Sequence, residues 1–223
     1  MNEIDAFYQK QLEDFLRPHF ESSDDLTNFL SDVFDYENGP VVKRQMLYQT
    51  MRFVLLANNI EKISPNSDGL KILFLRICLE SLQSLSNCNK NTFIPTFADC
   101  FTDEGKDYIL NHFKLSFFED EYCGLTFEAY HDITLTEFLW LIRVIRDNIV
   151  HNGRYWSMQL FARDEDSIWF TSMETDKKVI EYKFHRKGRK IVQYHFDTTL
   201  NYERFIFYFV GACINYISKI TAK

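Results

Sequence analysis

The chain has 223 residues, 46% apolar and 17% aromatic, with 25 Lys+Arg against 32 Asp+Glu and a net charge of −7. That apolar content excludes a disordered chain, 7 Gly and 4 Pro exclude collagen-like and low-complexity classes, and the length suits one self-sufficient core. A net acidic balance argues against a nucleic-acid partner only if the charge is evenly spread. It is not: residues 1–37 hold ten acids and two bases, −8, whereas the rest of the chain is +1.

In chain order, Ile4, Phe7, Tyr8, Leu12, Phe15 and Leu16 recur at helical spacing, and Pro18 ends or bends that helix. Ser23 or Asp24 caps a short second helix through Val33. Asn38-Gly39-Pro40 is a break, and Val42, Leu47, Met51, Val54 and Leu55 place a helix from Val41 to about Ile60. After the loop Ser64–Gly69, residues Leu70 to about Ser86 form a helix that is apolar on most faces, the signature of a central position in a bundle.

Residues 87–132 read as short helices and loops, the clearest being Thr102–His112. Thr134-Leu-Thr-Glu137 is a capping box that opens a helix through Phe138, Leu141, Ile142, Ile145 and Ile149, closed by Asn152-Gly153. The apolar period then changes from 3.6 to 2. Tyr155–Ala162, Ser167–Met173, Val179–Arg186 and Arg189–Phe196 read as strands, the last two joined by a tight turn at Lys187-Gly188. Thr198 or Thr199 caps a last helix to about Ile220. The fold class expected is mainly α, a helical bundle with a small antiparallel β-meander inserted before the C-terminal helix. One domain spans 1–223: an acidic helical extension (1–37), a helical core (41–153), the meander (154–197) and the closing helix (198–221).

The five Cys, at 78, 88, 100, 123 and 213, form no CxxC pair and read as reduced thiols. The N-terminus has acids where a secretory leader has bases, and the longest apolar stretch, Phe205–Ser218, is too short for a bilayer. The expectation is a soluble, cytoplasmic protein with no membrane contact.

The segment Leu141–Gly153 reads LIRVIRDNIVHNG, with Arg146 and His151 separated by four residues at the end of a well-marked helix. With 11 Arg and 6 His, such a spacing arises by chance about once, so context must carry it. A second match, Arg189 with His195, falls in a predicted strand and is set aside. Arg146 followed by the polar Asp147, the aliphatic pair Ile149-Val150, His151 and the Asn152-Gly153 turn resembles the HEPN family, although that family often has Asn where Asp147 stands. The order of elements, an apolar helix, a Phe-rich region, the motif helix and a closing helix, is similar over 41–221.

The resemblance implies a homodimer in which two motif helices line one cleft, and a metal-independent endoribonuclease of toxin or defence type. Arg146 and His151 would be catalytic, Asp147 and Asn148 supporting, with no cofactor and no metal. An antitoxin or a nucleotidyltransferase would be its partner. The pairing of chains would also bury the aromatic excess.

The chemistry is sensible on its own terms. Cleaving RNA without a metal needs a base for the 2′-hydroxyl and a cation for the charged phosphorane. Histidine titrates near neutrality, and arginine offers a planar, permanently charged fork. Asp147, four residues before His151, shares its helix face and is placed to orient the imidazole. Arg146 is about 140° around the helix from His151, so only its length brings it to the same site. Against this, a helix-terminal His is often a simple cap, and Arg146–Asp147 an ordinary solvated pair.

Arg143 and Arg154 flank the motif as candidate phosphate contacts. Residues 177–190 add seven bases, among them Lys183, Arg186, Lys187, Arg189 and Lys190, interleaved with Tyr182 and Phe184. Such a patch suits single-stranded RNA, or equally a solvated edge hairpin protected from aggregation. His131-Asp132 lies in a loop, and no HExxH, P-loop or GxGxxG is present. The alternative to an enzyme is a non-catalytic module that binds RNA, a nucleotide or another protein. A third reading is a structural interaction protein whose acidic N-terminal helices dock a basic partner. Those helices could also lie near the basic surface and limit RNA access.

Overall fold

The computed structural model describes residues 3–35, 39–65, 67–121, 124–127, 132–152, 160–162, 174–175 and 192–220. Along 3–7, 115–121, 124–127, 148, 151–152, 174–175 and 192–196 the description is of backbone alone. Helix α1 (Glu3–Leu16) passes into a 3-10 turn at Arg17–His19, where Pro18 cannot continue an α-helix. Helix α2 (Ser23–Val33) is capped by Ser22, one residue earlier than expected, whose hydroxyl accepts the Asp25 N–H at 3.1 Å. Helices α3 (Val41–Ile63) and α4 (Asp68–Leu85) pack along each other at the centre, followed by α5 (Lys90–Ala98) and α6 (Asp103–Asn111). The Thr102 hydroxyl caps α6 by accepting the Gly105 N–H at 3.1 Å.

The chain then departs from expectation. Residues 113–127, expected as helix and loop, form strands β1 (Phe113–Glu121) and β2 (Gly124–Phe127) ahead of the motif helix α7 (Leu135–Asn152). Strands β3 (Glu174–Thr175) and β4 (Val192–Thr198) follow it, before the last helix α8 (Tyr202–Ser218). The four strands form one antiparallel sheet in the order β2-β1-β4-β3, with Phe113 opposite Thr198 and Ser116 opposite His195. The fold is therefore mainly α with a small antiparallel sheet, as expected, but the sheet draws strands from both sides of α7. At Gln193 both edges of β4 are taken, by Phe118 of β1 and by Glu174 of β3. The expected strands at 167–173 and 179–186 and the Lys187-Gly188 turn lie outside the described residues, and Leu160–Ala162 is not strand.

Apolar spacing explains the core. Leu12, Leu16, Leu26, Val33, Met46, Leu47, Leu75, Leu79 and Leu82 are all buried, so α1 and α2 belong to the same core as α3 and α4. The aromatic content goes inside the chain: Phe93, Phe97, Phe113, Phe138, Phe205 and Phe209 are fully buried. Phe138 bridges Phe113 at the base of the sheet (5.0 Å between centroids) and Phe205 of α8 (5.9 Å). Each such ring contributes roughly 1.5–3 kcal/mol. Cys78, Cys88, Cys100 and Cys213 are free thiols, three of them buried. No helix among the described residues is long and apolar enough to cross a membrane.

Two polar devices fix the packing. Asp68, 2% exposed at the start of α4, accepts the backbone N–H groups of Leu160 (3.0 Å) and Phe161 (2.9 Å) on one carboxylate oxygen. Its other oxygen meets Lys71 Nζ at 3.3 Å, and that ammonium also meets Glu61 (2.8 Å) and the face of Tyr202 (4.6 Å). Asp68 therefore clips the chain returning from beyond α7 onto the bundle. Leaving two buried N–H groups unpaired costs about 1–3 kcal/mol each. Asp68→Ala is expected to lose about 3 kcal/mol in urea unfolding, and Asp68→Asn, which keeps an acceptor oxygen, clearly less. Equal midpoints for Asp68→Ala and the parent would refute the clip.

His19, at the end of the 3-10 turn, stacks on Phe207 of α8 with centroids 4.8 Å apart. Burial pushes its pKa down from 6.5 to about 4. The folded chain thus holds fewer protons than the unfolded one between these values, so stability is full above about pH 6.5 and falls as pH drops toward 4. A His19→Gln variant is expected to flatten the melting-temperature profile in that window, and a profile of unchanged slope would remove His19 as its source.

Candidate functional site

The site is built on α7. Its capping box forms in full: Thr134 N–H donates to Glu137 Oε2 at 2.7 Å and Glu137 N–H donates to Thr134 Oγ1 at 3.2 Å. Phe138, Leu139, Leu141, Ile142, Val144, Ile145 and Ile149 are buried, and the helix packs on α4 and α5. Arg146 projects from this helix to meet α4, with Asp147 beside it. The helix runs unbroken to Asn152, so His151 stands in its last turn, five residues beyond Arg146, as the spacing requires.

Arg146 reaches across to α4. Its Nη2 donates to Glu80 Oε2 at 2.7 Å, and its Nη1 donates to Asp147 Oδ1 at 2.8 Å. The Arg146 side chain keeps 23% exposure and Glu80 33%, so the pair opens to solvent, while Asp147 is 9% exposed as a residue. The other Glu80 oxygen faces Arg76, one turn earlier on α4, at 3.4 Å from Nε. Arg76 is 2% exposed. Burial, opposed by Glu80, lowers its pKa to about 10, and the charges of Arg143 and Arg146 push it the same way. It remains protonated at neutral pH. Arg143 lays its guanidinium over Trp140, 5.1 Å from the ring centroid.

Arg146 and Asp147 are therefore brought together as a half-buried pair, not a solvated one, and Arg143 stands beside them. Asn148 and His151 are placed by their backbone in the same helix, and their side chains lie outside the described residues. Arg154, Lys183, Arg186, Lys187, Arg189 and Lys190 also lie outside them, while His195 is in β4, as the strand reading of the second spacing match requires.

Arg76 and Glu80 were missed. The signal was present: two charges, four apart, inside a helix otherwise apolar on most faces must find partners when buried. The partner of Glu80 on α7, however, lies 66 residues away.

Among the described residues no group of three or more His, Cys, Asp or Glu is arranged to hold a metal. A groove of about 1000 Å³ lies elsewhere, between α1, α2 and α3, lined by Leu12, Leu30, Phe34 and Tyr48 among others. The buried side-chain nitrogens without a hydrogen-bond partner among the described residues belong to Arg76 and Arg146, which do not line that groove. The candidate site lies with the arginines of α4 and α7, not in this groove. No family model, curated protein or solved structure matches this chain.

Proposed function

We propose that this chain is a cytoplasmic, metal-independent endoribonuclease of the HEPN type, acting as a homodimer in a toxin or defence setting. The observation that carries the reading is Arg146, held on α7 with its guanidinium braced by Glu80 and Asp147 and still part-exposed, five residues before His151. Bracing supports catalysis because a preformed cation stabilises charge without reorganising at the moment of reaction.

His151 takes the proton of the 2′-hydroxyl, and the 2′-oxygen attacks phosphorus. Arg146 stabilises the charged phosphorane, with Arg143 alongside. Protonated His151 then returns the proton to the departing 5′-oxygen. The products are a 2′,3′-cyclic phosphate and a 5′-hydroxyl. Asp147 and Asn148 support the site. The bases at Arg154, Lys183, Arg186, Lys187, Arg189 and Lys190 hold the strand. An antitoxin or nucleotidyltransferase partner silences or modifies the enzyme.

Incubating RNA with the protein in EDTA is expected to yield fragments with cyclic-phosphate ends, and His151→Ala is expected to yield none. Cleavage that needs added metal, or that persists in His151→Ala, would overturn the reading. A second reading, a binding module without turnover, draws support from the same contacts, since both terminal nitrogens of Arg146 already have carboxylate partners. Equal RNA affinity of parent and His151→Ala with turnover in neither would favour it.

A further inference from the structure

We propose that Arg76 and Arg146 together form a binding site for a phosphoryl oxyanion, and that Glu80 holds its place while the site is empty. It rests on the ribonuclease reading only in taking the natural anion to be an RNA phosphodiester.

One carboxylate serves two guanidiniums here. Glu80 gives one oxygen to Arg146 and turns the other toward Arg76 without hydrogen-bond alignment. A carboxylate has two oxygens and cannot satisfy two five-donor forks. The shortfall is visible: Arg76 Nε and Nη1 and Arg146 Nε are buried with no hydrogen-bond partner among the described residues. Buried donors are nearly always paired, and an unpaired one costs about 1–3 kcal/mol.

The charges point the same way. Arg143 and Arg146 act on Arg76 as like charges and Glu80 and Asp147 as opposite ones, so among the described residues the cluster carries one more cation than anion. The lowered pKa of Arg76 reflects that imbalance as well as burial. What would complete the set is an anion with more acceptor oxygens than a carboxylate, in the shape that guanidinium forks match: a phosphoryl group. The route in runs past Glu80 and Arg146, the two members open to solvent. Glu80, one third exposed, can swing out as the anion enters, whereas Arg76 at 2% exposure stays as the fixed floor.

The test is the affinity for inorganic phosphate, titrated at constant ionic strength against chloride. Glu80→Gln removes the competing charge and is expected to bind phosphate about tenfold tighter, since like charge no longer opposes entry. Arg76→Met is expected to bind at least tenfold more weakly. A failure of the ribonuclease reading would leave these results standing, because none of them measures turnover.

Unchanged or weaker binding by Glu80→Gln would overturn the proposal, as would parent-like affinity in a folded Arg76→Met. Should Arg76→Met not fold, Glu80→Gln decides alone, because Glu80 is exposed enough to be replaced. A short oligodeoxynucleotide, which has no 2′-hydroxyl, separates the sources of the anion. Competition with phosphate assigns the site to a phosphodiester, and its absence assigns it to free phosphate or a monoester; the oxyanion site stands in both cases.

Discussion

A chain lacking residues 1–37 is expected to unfold, or to melt far below the intact protein, and not merely to lose an acidic tail. Leu12, Leu16, Leu26 and Val33 are at most 2% exposed, sealed against the bundle. Burying a side chain of this size contributes roughly 1.5–3 kcal/mol, so the four together approach the whole stability of a typical domain, about 5–15 kcal/mol. The same cut removes Asp32, the partner of Lys43 at 2.7 Å, and Lys43 is 6% exposed on α3. A buried ammonium without its carboxylate adds to the loss. It also strips His19 from Phe207. Urea unfolding followed by circular dichroism checks this, and a truncated chain with the parent's midpoint would contradict it. Any screening of RNA by the acidic helices is consequently tested by neutralising exposed acids such as Asp24 and Asp25, which leaves the core whole.

Arg146→Ala is expected to fail twice. Under the proposed reading it removes the cation that stabilises the phosphorane, and losses of roughly 10²–10³-fold are usual when one such donor is deleted. It also leaves Asp147, 9% exposed, and Glu80 without the guanidinium between them. Each lost hydrogen bond between these charged groups costs about 1.5–3 kcal/mol. Arg146→Lys separates the two losses. Its ammonium keeps the charge and restores most of the stability, but a point charge cannot reproduce two N–H contacts held at 2.7 and 2.8 Å on different carboxylates. Cleavage is therefore expected to recover only in part. Cleavage rates on the folded fraction, paired with denaturation midpoints, read both effects. Full activity in Arg146→Ala would remove it from catalysis, and parent-like stability in that variant would remove the ion pairs from the fold.

Much of this molecule was legible from local spacing. The α7 boundaries follow from a capping box four residues long and from apolar positions repeating every three or four residues, and both interactions close within a turn of helix. Pro18 ends α1 for an equally local reason. Where the reading slipped, a distant contact had intervened. Thr198, expected to cap α8, instead donates its hydroxyl to Leu160 O at 2.9 Å and accepts the Leu200 N–H, leaving the cap to Asn201. Residues 113–118 are strand because β4, some 80 residues on, supplies the partner that their own sequence does not announce.

The sequence by itself therefore determined the long helices, the capping box of α7, the mainly α class and the Arg146-to-His151 spacing on one helix, because each depends on neighbours within a few residues. Only the tertiary structure decided that α1 and α2 pack into the core of the bundle, that the sheet joins strands from both sides of α7, and that Arg146 is braced from α4. Those depend on which faces meet, and a carboxylate 66 residues from its arginine leaves no trace in the spacing of either.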